Sequence, residues 1–336
     1  MKTAALILLC GIVSVSAVAT VYYLILQPTQ LFSPPRIVSI EKGESVASAA
    51  RRLSRSGVIT NSLVFTLYAE LTGQARHIKP GDYAFKGSET IPQVLKHLVD
   101  GDFMVITLTV AEGMTVHQIG ERLRAAGLSC DRSFERAALN GPVTRALGLG
   151  IVGVEGFLFP ATYRFSPLAT DDQILASMLE RFFSILTPPV EQRMFELGMN
   201  PRQLVTIASI IEKEARLPGE RPIIASVFYN RLARGMPLQS DPTAQYNYAG
   251  EIEPAATAIR EPSAFNTYTI RDLPPGPIAN PGLDSIRAAL FPAHTTYLYF
   301  VARKDGTHIF SRSFKEHERA VEEVKRSVED RHSIQG

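Results

Sequence analysis

The longest apolar run in the chain lies at its amino terminus. Residues 4–26 are almost entirely apolar, and Lys2 is the only charged side chain before Arg36. As a helix, this run would be about 34 Å long, which exceeds the roughly 30 Å hydrocarbon layer of a bilayer. The pattern therefore predicts a cytoplasmic stub at residues 1–3, a single transmembrane helix at 4–26 and a proline-containing linker at 27–36.

The same run has a second interpretation as a secretory signal peptide that is removed. Ala17-Val18-Ala19 resembles a signal-peptidase site. The apolar sequence continues past this site to Leu26, which is longer than the hydrophobic region of a cleavable signal usually is. This length favours an uncleaved anchor, and under either interpretation the remainder of the chain is exported.

Downstream of the linker, one pattern of apolar residues and glycines occurs twice. Its first copy recurs 70 positions later: Ile40, Gly43, Val46, Leu53 and Gly57 become Val110, Gly113, Val116, Leu123 and Gly127. Each copy predicts a strand, a glycine turn and a helix that ends at a glycine. We expect two such units, near 37–60 and 105–130, within a region spanning 37–153. They either duplicate a packing unit or resemble LysM modules, small β-α domains that bind glycan chains.

From residue 154 onward, separate helices are followed by short strands. Apolar residues spaced three and four apart predict helices over 171–186, 191–197, 202–215 and 314–331. Alternating residues on both sides of Asp305-Gly306 predict a late β-hairpin. Because helices and strands are segregated along the chain, we predict an α+β domain over residues 154–332 that ends in this hairpin and a C-terminal helix.

Composition and motifs exclude several classes of function. The chain has a formal net charge of +2 and no Lys/Arg run longer than a pair, so nucleic-acid binding has no electrostatic support. Its two cysteines, Cys10 and Cys130, lie far apart, with Cys10 inside the apolar run, so we expect no intrachain disulfide. No H-E-x-x-H, G-x-S-x-G, P-loop or dinucleotide-binding pattern is present, and we therefore expect neither a metal nor a cofactor.

The helix predicted at 202–215 contains two candidate acids, Glu212 and Glu214. With 100° between successive residues, Glu214 lies on an apolar stripe with Ile207 and Ile210, whereas Glu212 lies about 160° away. Burial on that stripe raises the pKa of a carboxyl group, as a general acid for a sugar leaving group requires. Glu214 is therefore the preferred acid and Glu212 the alternative. If neither glutamate is catalytic, each is an ordinary solvated charge near the end of a helix.

Polar and turn-forming residues are unusually dense after this helix. They are concentrated at 230–231, 239–243, 266–269 and 274–282. Amide, hydroxyl and phenol groups suit the binding of a sugar polymer, although ordinary turn chemistry accounts for many such residues.

A series of segments, taken in order, closely resembles the YceG-like family of membrane-bound endolytic murein transglycosylases. The segments are 208–215 (ASIIEKEA), 220–221 (ER), 225–232 (ASVFYNRL), 235–242 (GMPLQSDP), 268–269 (YT), 273–278 (LPPGPI), 280–282 (NPG) and 297–302 (YLYFVA). The likeness covers essentially the whole chain. The chain departs from the family at Ala161, where relatives often have Asp, and at 216–219.

The resemblance implies a lyase that cleaves the β-1,4 bond between N-acetylmuramic acid and N-acetylglucosamine in nascent peptidoglycan strands, leaving a 1,6-anhydro end. It identifies Glu214, the second Glu of Glu-Lys-Glu, as the catalytic acid. Candidates for binding the N-acetyl groups and the developing charge are Asn230, Gln239, Asn266 and Tyr268. The family also implies a place on the bacterial inner (cytoplasmic) membrane with the catalytic region outside, and partnership with peptidoglycan polymerases and penicillin-binding proteins.

Two other functions remain open at the level of the sequence. Ordinary glycosidases place two carboxylates across the scissile bond, whereas a lytic transglycosylase can use one, because the 6-hydroxyl of the substrate is the nucleophile. A conventional muramidase would pair Glu214 with a partner such as Asp241 and release a reducing end. A non-catalytic scaffold would bind the cell wall through the two repeats.

Overall fold

The computed structural model describes residues 2–29, 31–146, 153–246 and 255–334. The chain divides into two compact units. The first unit contains Met1–Ile106 with Arg164–Leu168, and the second contains Thr107–Tyr163 with Ala169–Gly336. Helices and short strands occur in both units, which confirms the predicted α+β class.

The first unit is built from a two-stranded sheet and four helices. The elements are α1 (Lys2–Leu26), β1 (Arg36–Ile40), α2 (Val46–Arg55), α3 (Ser62–Leu71), β2 (Gly81–Phe85) and α4 (Ile91–Asp100). β1 and β2 are antiparallel, with Val38 opposite Tyr83. The inward side chains of both strands pack on Leu53 of α2, Phe65 of α3 and Leu95 of α4, so this unit has its own apolar core.

The predicted transmembrane segment coincides with α1. Leu24 and Ile25 at the end of α1 pack against the core of the first unit. Within the described part of the chain, no helix is both long and apolar enough to cross a membrane. The membrane crossing predicted for residues 4–26 therefore stays a prediction.

The remaining elements lie in the second unit, apart from Ile106 and Arg164–Phe165, which belong to the first unit. They are β3 (Ile106–Thr109), α5 (Val116–Ala125), α6 (Ser133–Asn140), α7 (Pro142–Ala146), β4 (Thr162–Phe165), α8 (Asp171–Phe183), α9 (Pro188–Glu196), α10 (Pro201–Glu214), α11 (Arg221–Ala233), α12 (Asp241–Gln245), α13 (Ala255–Ala258), α14 (Leu283–Leu290), β5 (Tyr299–Ala302), β6 (His308–Ser311) and α15 (Phe314–Ile334). β3 pairs with β4, and β5 pairs with β6.

Each copy of the sequence repeat forms a strand, a turn and a helix, namely β1–α2 and β3–α5. Gly57 and Gly127, just after the two helices, have φ angles of 71° and 73°, a left-handed conformation that glycine adopts at least cost. The two strands have different partners, since β1 pairs with β2 and β3 with β4. The likeness of the repeats to LysM modules is not tested by this arrangement and stays a prediction.

The helix that ends at Glu214 runs through the core of the second unit. Asn200 caps the start of α10 and forms a reciprocal capping box with Gln203. All residues from Leu204 to Ile211 are buried, and α10 packs against α11, α12 and α14. The helix ends at Glu214 because Ala215 adopts an extended conformation, which leaves the last carboxylate beside the loops that follow.

The predicted hairpin around Asp305-Gly306 is present. β5 and β6 are antiparallel, with Phe300 opposite Phe310. Asp305 accepts hydrogen bonds from the backbone N–H and the hydroxyl of Thr307, which stabilise the turn. α15 packs against both strands of this hairpin.

Candidate active site

Glu214 lies at the end of α10 in a cleft with a volume of about 420 Å³. Other residues lining the cleft are Arg231, Leu238, Gln239, Asp241, Tyr268, Tyr299, Phe300, Val301, Ala302, His308, Phe314, His317 and Val321. They come from α11, the loop before α12, the first residue of α12, the loop after α13, the β5–β6 hairpin and α15. The structure thus brings three of the residues predicted from the sequence, Glu214, Gln239 and Tyr268, into one cleft.

Burial raises the pKa of the Glu214 carboxyl to about 7. Two neighbours act on this value in opposite directions. The hydroxyl of Ser240 donates a hydrogen bond to Glu214 Oε1 at 2.6 Å and lowers the pKa, whereas the negative charge of Asp241 raises it. A carboxyl with a pKa near 7 is partly protonated at neutral pH and can donate and then accept a proton.

A network of buried hydroxyls holds Ser240 in position. The backbone N–H of Ser240 donates to Thr267 Oγ1, and the Thr243 hydroxyl donates to the Ser240 carbonyl. Thr243 and Thr267 are also joined through their hydroxyls at 2.6 Å. Because all three side chains are buried, the group that contacts Glu214 has little freedom to move.

Tyr268 and Asp241 form a second polar pair in the cleft. The Tyr268 hydroxyl donates a short hydrogen bond to Asp241 Oδ1. Burial raises the pKa of Tyr268, and the bond to Asp241 raises it further, so the phenol remains protonated at physiological pH. Asp241, the partner considered for a two-carboxylate mechanism, is therefore already engaged by a phenol.

Gln239 is held in an uncommon conformation at the edge of the cleft. Its φ angle is 53°, in the left-handed region that non-glycine residues rarely adopt. Gln239 Oε1 accepts a hydrogen bond from Arg231 Nη1, and its backbone N–H donates to the Thr267 carbonyl. Strained backbone of this kind is often found at functional sites.

The other two predicted substrate-binding residues do not line the cleft. The amide nitrogen of Asn266 donates to the carbonyls of Ala258, Ile259 and Glu261, while its oxygen accepts from the N–H of Tyr268. The amide nitrogen of Asn230 donates to the carbonyls of residues 295 and 297. Both amides therefore stabilise the backbone around the cleft.

Glu212, the alternative acid, points to a different environment. Its carboxylate pairs with Arg221 at 3.3 Å and accepts a hydrogen bond from the backbone N–H of Gly282 at 2.9 Å. Arg221 also donates to Ser285 of α14. These bonds tie together α10, α11 and the start of α14, and Glu212 does not line the cleft.

Four polar residues of the cleft region were not chosen from the sequence as site residues. They are Arg231, Ser240, His308 and His317. Ser240 lies inside the polar segment 239–243, which was the only local signal for it. His308 lies on the hairpin and His317 on α15. Both elements are far from Glu214 in the sequence, and no motif marks either histidine as a site residue. His308 Nδ1 lies 2.6 Å from Glu220 Oε2.

A buried carboxylate also occurs away from this cleft, at Glu155. It accepts hydrogen bonds from the backbone N–H of Val116, the hydroxyl of Tyr246 and the amide of Asn280. Burial raises the pKa of Glu155 to about 7. Among the residues that the structure describes, no group of three or more His, Cys, Asp or Glu side chains could hold a metal ion.

Comparisons with known proteins give a consistent result. A family model described as the YceG-like family matches residues 38–323. A Bacillus subtilis protein named endolytic murein transglycosylase is 32% identical over 317 residues, covering 89% of this chain and 87% of the relative. A Streptococcus pneumoniae D39 protein of the same name is 30% identical over 320 residues, but this chain spans only 58% of its length.

A solved structure is similar in fold as well as in sequence. The crystal structure of a putative YceG-like protein from Listeria monocytogenes has a TM-score of 0.58 and 31% sequence identity, covering 85% of this chain and 98% of that one.

Proposed function

Because the chain belongs to the YceG-like family, we propose that it is an endolytic murein transglycosylase, a lyase that cleaves peptidoglycan strands internally. The bond broken is the β-1,4 linkage between N-acetylmuramic acid and N-acetylglucosamine, and the product ends in 1,6-anhydro-N-acetylmuramic acid. The name shared by the relatives supports the reaction. The observation that supports it most directly in this chain is the half-buried Glu214, with its pKa raised to about 7, in an open cleft.

In the proposed mechanism, Glu214 acts twice. Its protonated carboxyl first gives a proton to the glycosidic oxygen, and the bond from C1 of the muramic sugar to that oxygen breaks. The resulting carboxylate then accepts the proton of the 6-hydroxyl as O6 forms a bond to the same C1. The proton count balances, Glu214 returns to its starting form, and neither water nor a cofactor takes part.

Ser240 suits both halves of this cycle. Its hydroxyl occupies Oε1 of Glu214, so Oε2 is the oxygen available for the substrate. In the intermediate state the same hydrogen bond becomes charge-assisted and stabilises the carboxylate. Burial keeps the carboxyl protonated beforehand. The geometry thus favours an acid that is still partly protonated near pH 7 and whose carboxylate is stabilised once the leaving group takes its proton.

We propose different roles for the polar residues around the acid. Gln239 and Tyr268 line the cleft and are the candidates for contacting the N-acetyl groups. Asn230 and Asn266 act indirectly, because their amides hold the backbone that carries the cleft residues. The buried position of Asn266 next to Tyr268 makes it a positioning residue for that phenol.

A conventional muramidase is the second candidate, since Asp241 lines the same cleft. It would need Asp241 as a nucleophile or base at the scissile bond. The Tyr268 hydroxyl already occupies Oδ1 of Asp241, and this favours the single-carboxylate mechanism. Replacing Glu214 by Gln tests both, because either reaction should fall about 10³-fold or more without its general acid. Wild-type cleavage by Glu214→Gln would remove the basis of the proposal.

We further propose that α1 anchors the enzyme in the cytoplasmic membrane, with both units outside and near the site where new strands emerge. The apolar composition of residues 4–26 supports this, as does the endolytic activity on nascent strands. Glycan binding by the repeats and association with penicillin-binding proteins or polymerases belong to the same proposal. Alkaline carbonate extraction checks the anchor: the full chain should remain with the membrane pellet, and its release into the supernatant would contradict it.

A further inference from the structure

One wall of the cleft has no role in the proton transfers proposed for Glu214. It is formed by Arg231 from α11, Tyr299 from β5 and His317 from α15, which we call the Arg231 wall. The Arg231 guanidinium lies over the Tyr299 ring at 4.9 Å, and the His317 ring stacks on the same tyrosine at 5.3 Å. All three residues line the cleft that contains Glu214.

Arg231 is a buried cation whose described partners are all neutral. Its exposed fraction is only 5%. Nε and Nη1 donate to neutral oxygens, namely the carbonyls of Leu298, Pro237 and Leu238 and the side-chain oxygen of Gln239. Within the described residues, Arg231 forms no ion pair, and Nη2 has no hydrogen-bond partner. Arginine is rarely buried without a counter-ion, because removing its charge from water is energetically unfavourable.

His317 presents a second unused polar atom at this wall. Its Nδ1 is buried and has no hydrogen-bond partner in the described part of the chain. Burial lowers the pKa of His317, and the charge of Arg231 lowers it further. The imidazole is therefore neutral at physiological pH and can still donate one N–H.

No acidic side chain in the described part of the chain forms an ion pair with Arg231 or His317, although the charge of Glu318 raises the pKa of His317. Asp241 is bonded to the Tyr268 hydroxyl, and the raised pKa of Glu214 leaves that carboxyl largely protonated below pH 7. The remaining titratable group of the lining, His308, is paired with Glu220. The cleft therefore holds a guanidinium without an acidic partner beside an acid that is largely neutral below pH 7.

We propose that Arg231 and His317 form a subsite for an anionic substituent of the glycan strand, a carboxylate or a phosphate, beside the bond that Glu214 cleaves. The free Nη2 of Arg231 and an N–H of His317 would bind its oxygens, since guanidinium groups match carboxylate and phosphate geometry. Two sources of this chemistry exist on a nascent strand: carboxylates on the muramyl lactyl ether or its peptide, and the diphosphate of a lipid-linked end. The inference rests on the proposed function and names what the site selects.

The test measures binding by the full chain in a Glu214→Gln background, which prevents cleavage. The anionic probe is a muramyl-containing strand, and the neutral probe is an N-acetylglucosamine oligomer of equal length. A charge-assisted contact of about 1.5–3 kcal/mol predicts at least tenfold tighter binding of the anionic strand, with the preference falling as salt rises. Adding Arg231→Lys or His317→Gln should reduce the preference to below about threefold, because each variant loses part of the anion contact.

Arg312→Gln is the matched control, because Arg312 also lies over a tyrosine ring, Tyr297, but does not line the cleft. It should leave the preference unchanged. Circular dichroism checks that the Arg231 variant is folded. His317→Gln tests the same binding preference independently of Arg231. Equal binding of the neutral probe, the muramyl strand and a lipid-linked strand by the Glu214→Gln protein, or an unchanged preference in both wall variants, would overturn the subsite.

A further comparison identifies the source of the anion. Lipid-linked strands are measured before and after mild acid removes the diphosphate. Loss of the preference assigns the subsite to the diphosphate, and its retention assigns the subsite to the muramyl carboxylates. Cleavage by the wild-type chain is assayed separately, so a failure of the transglycosylase proposal and a failure of the subsite give different results.

Discussion

Removing the hydroxyl of Ser240 should change the pH range in which the enzyme works. The hydroxyl donates to Glu214 Oε1 at 2.6 Å and lowers the pKa of that carboxyl, in opposition to burial. Ser240→Ala deletes this donor and leaves burial and the charge of Asp241 in place. Both remaining influences raise the pKa of Glu214, so its value in the variant must lie above the wild-type value of about 7.

The size of the shift follows from the energy of one hydrogen bond. A bond to a charged group contributes about 1.5–3 kcal/mol, and a pKa change of one unit corresponds to about 1.4 kcal/mol. Because Glu214 is only half-buried, water compensates part of the loss, and we expect the lower end, about one pH unit. The carboxylate formed during the reaction is also less stable without Ser240, so the maximal kcat/KM should fall about tenfold.

The assay is kcat/KM for release of anhydro ends from uncrosslinked strands between about pH 5 and 9, a range that brackets the expected pKa values. A required acid loses activity as pH rises through its pKa. The wild-type decline should therefore centre near pH 7, and that of Ser240→Ala about one unit higher. Ser240→Thr keeps the hydroxyl and should keep the wild-type midpoint. A midpoint that stays fixed or moves to lower pH in Ser240→Ala would refute this reasoning.

Three further changes test other parts of the structure. Tyr268→Phe removes the donor to Asp241 and should lower kcat/KM about tenfold with an unchanged Tm, as expected for loss of one polar contact; a full loss of folding would contradict this. Asn266→Ala leaves three backbone carbonyls without their donor and should reduce the free energy of unfolding by about 1–3 kcal/mol in urea titrations. Glu155→Gln should also destabilise the chain by about 1–3 kcal/mol. Since the folded pKa of Glu155 is raised to about 7, its ionisation weakens the wild type as pH rises through that value. The difference between wild type and variant should therefore be largest near pH 5 and smaller at pH 8, and an increase with pH would be inconsistent with the raised pKa.

Much of the architecture could be predicted from local patterns. The strand–turn–helix repeats, the capped helix that ends at Glu214 and the hairpin at Asp305-Gly306 all depend on interactions between near neighbours in the sequence. Gly57 and Gly127 made the helix ends predictable, because glycine adopts the positive φ angle that terminates a helix at least cost. The boundary between the two compact units, near residue 106, had no such local signal, because it depends on which strands pair.

The choice between Glu212 and Glu214 shows where helical periodicity stops being sufficient. The wheel assigned Glu214 to the apolar stripe, but α10 is buried on all sides from Leu204 to Ile211. What separates the two acids is their partners. Arg221 and the N–H of Gly282 engage Glu212, whereas Glu214 meets one hydroxyl and an open cleft.

The residues that line the cleft were harder to predict for a similar reason. Because amides suit sugars, the sequence predicts that Asn230 and Asn266 bind glycan, and the structure shows that their amide nitrogens donate to backbone carbonyls. Arg231 is adjacent to Asn230 in the sequence and lines the cleft, while His308 and His317 lie on elements about a hundred residues beyond Glu214. Side-chain direction and long-range packing decide these assignments, and neither is encoded in residue type.

The origin of the oxygen at the new sugar end tests the central claim most directly. Strands are cleaved by the purified protein in water enriched in oxygen-18, and the muramyl ends are analysed by mass spectrometry. If the 6-hydroxyl is the nucleophile, the product should be the anhydro sugar without any heavy oxygen, and Glu214→Gln should form almost none of it. Reducing muramyl ends that contain one heavy oxygen would show that water attacks the bond, and would contradict a single-carboxylate lyase.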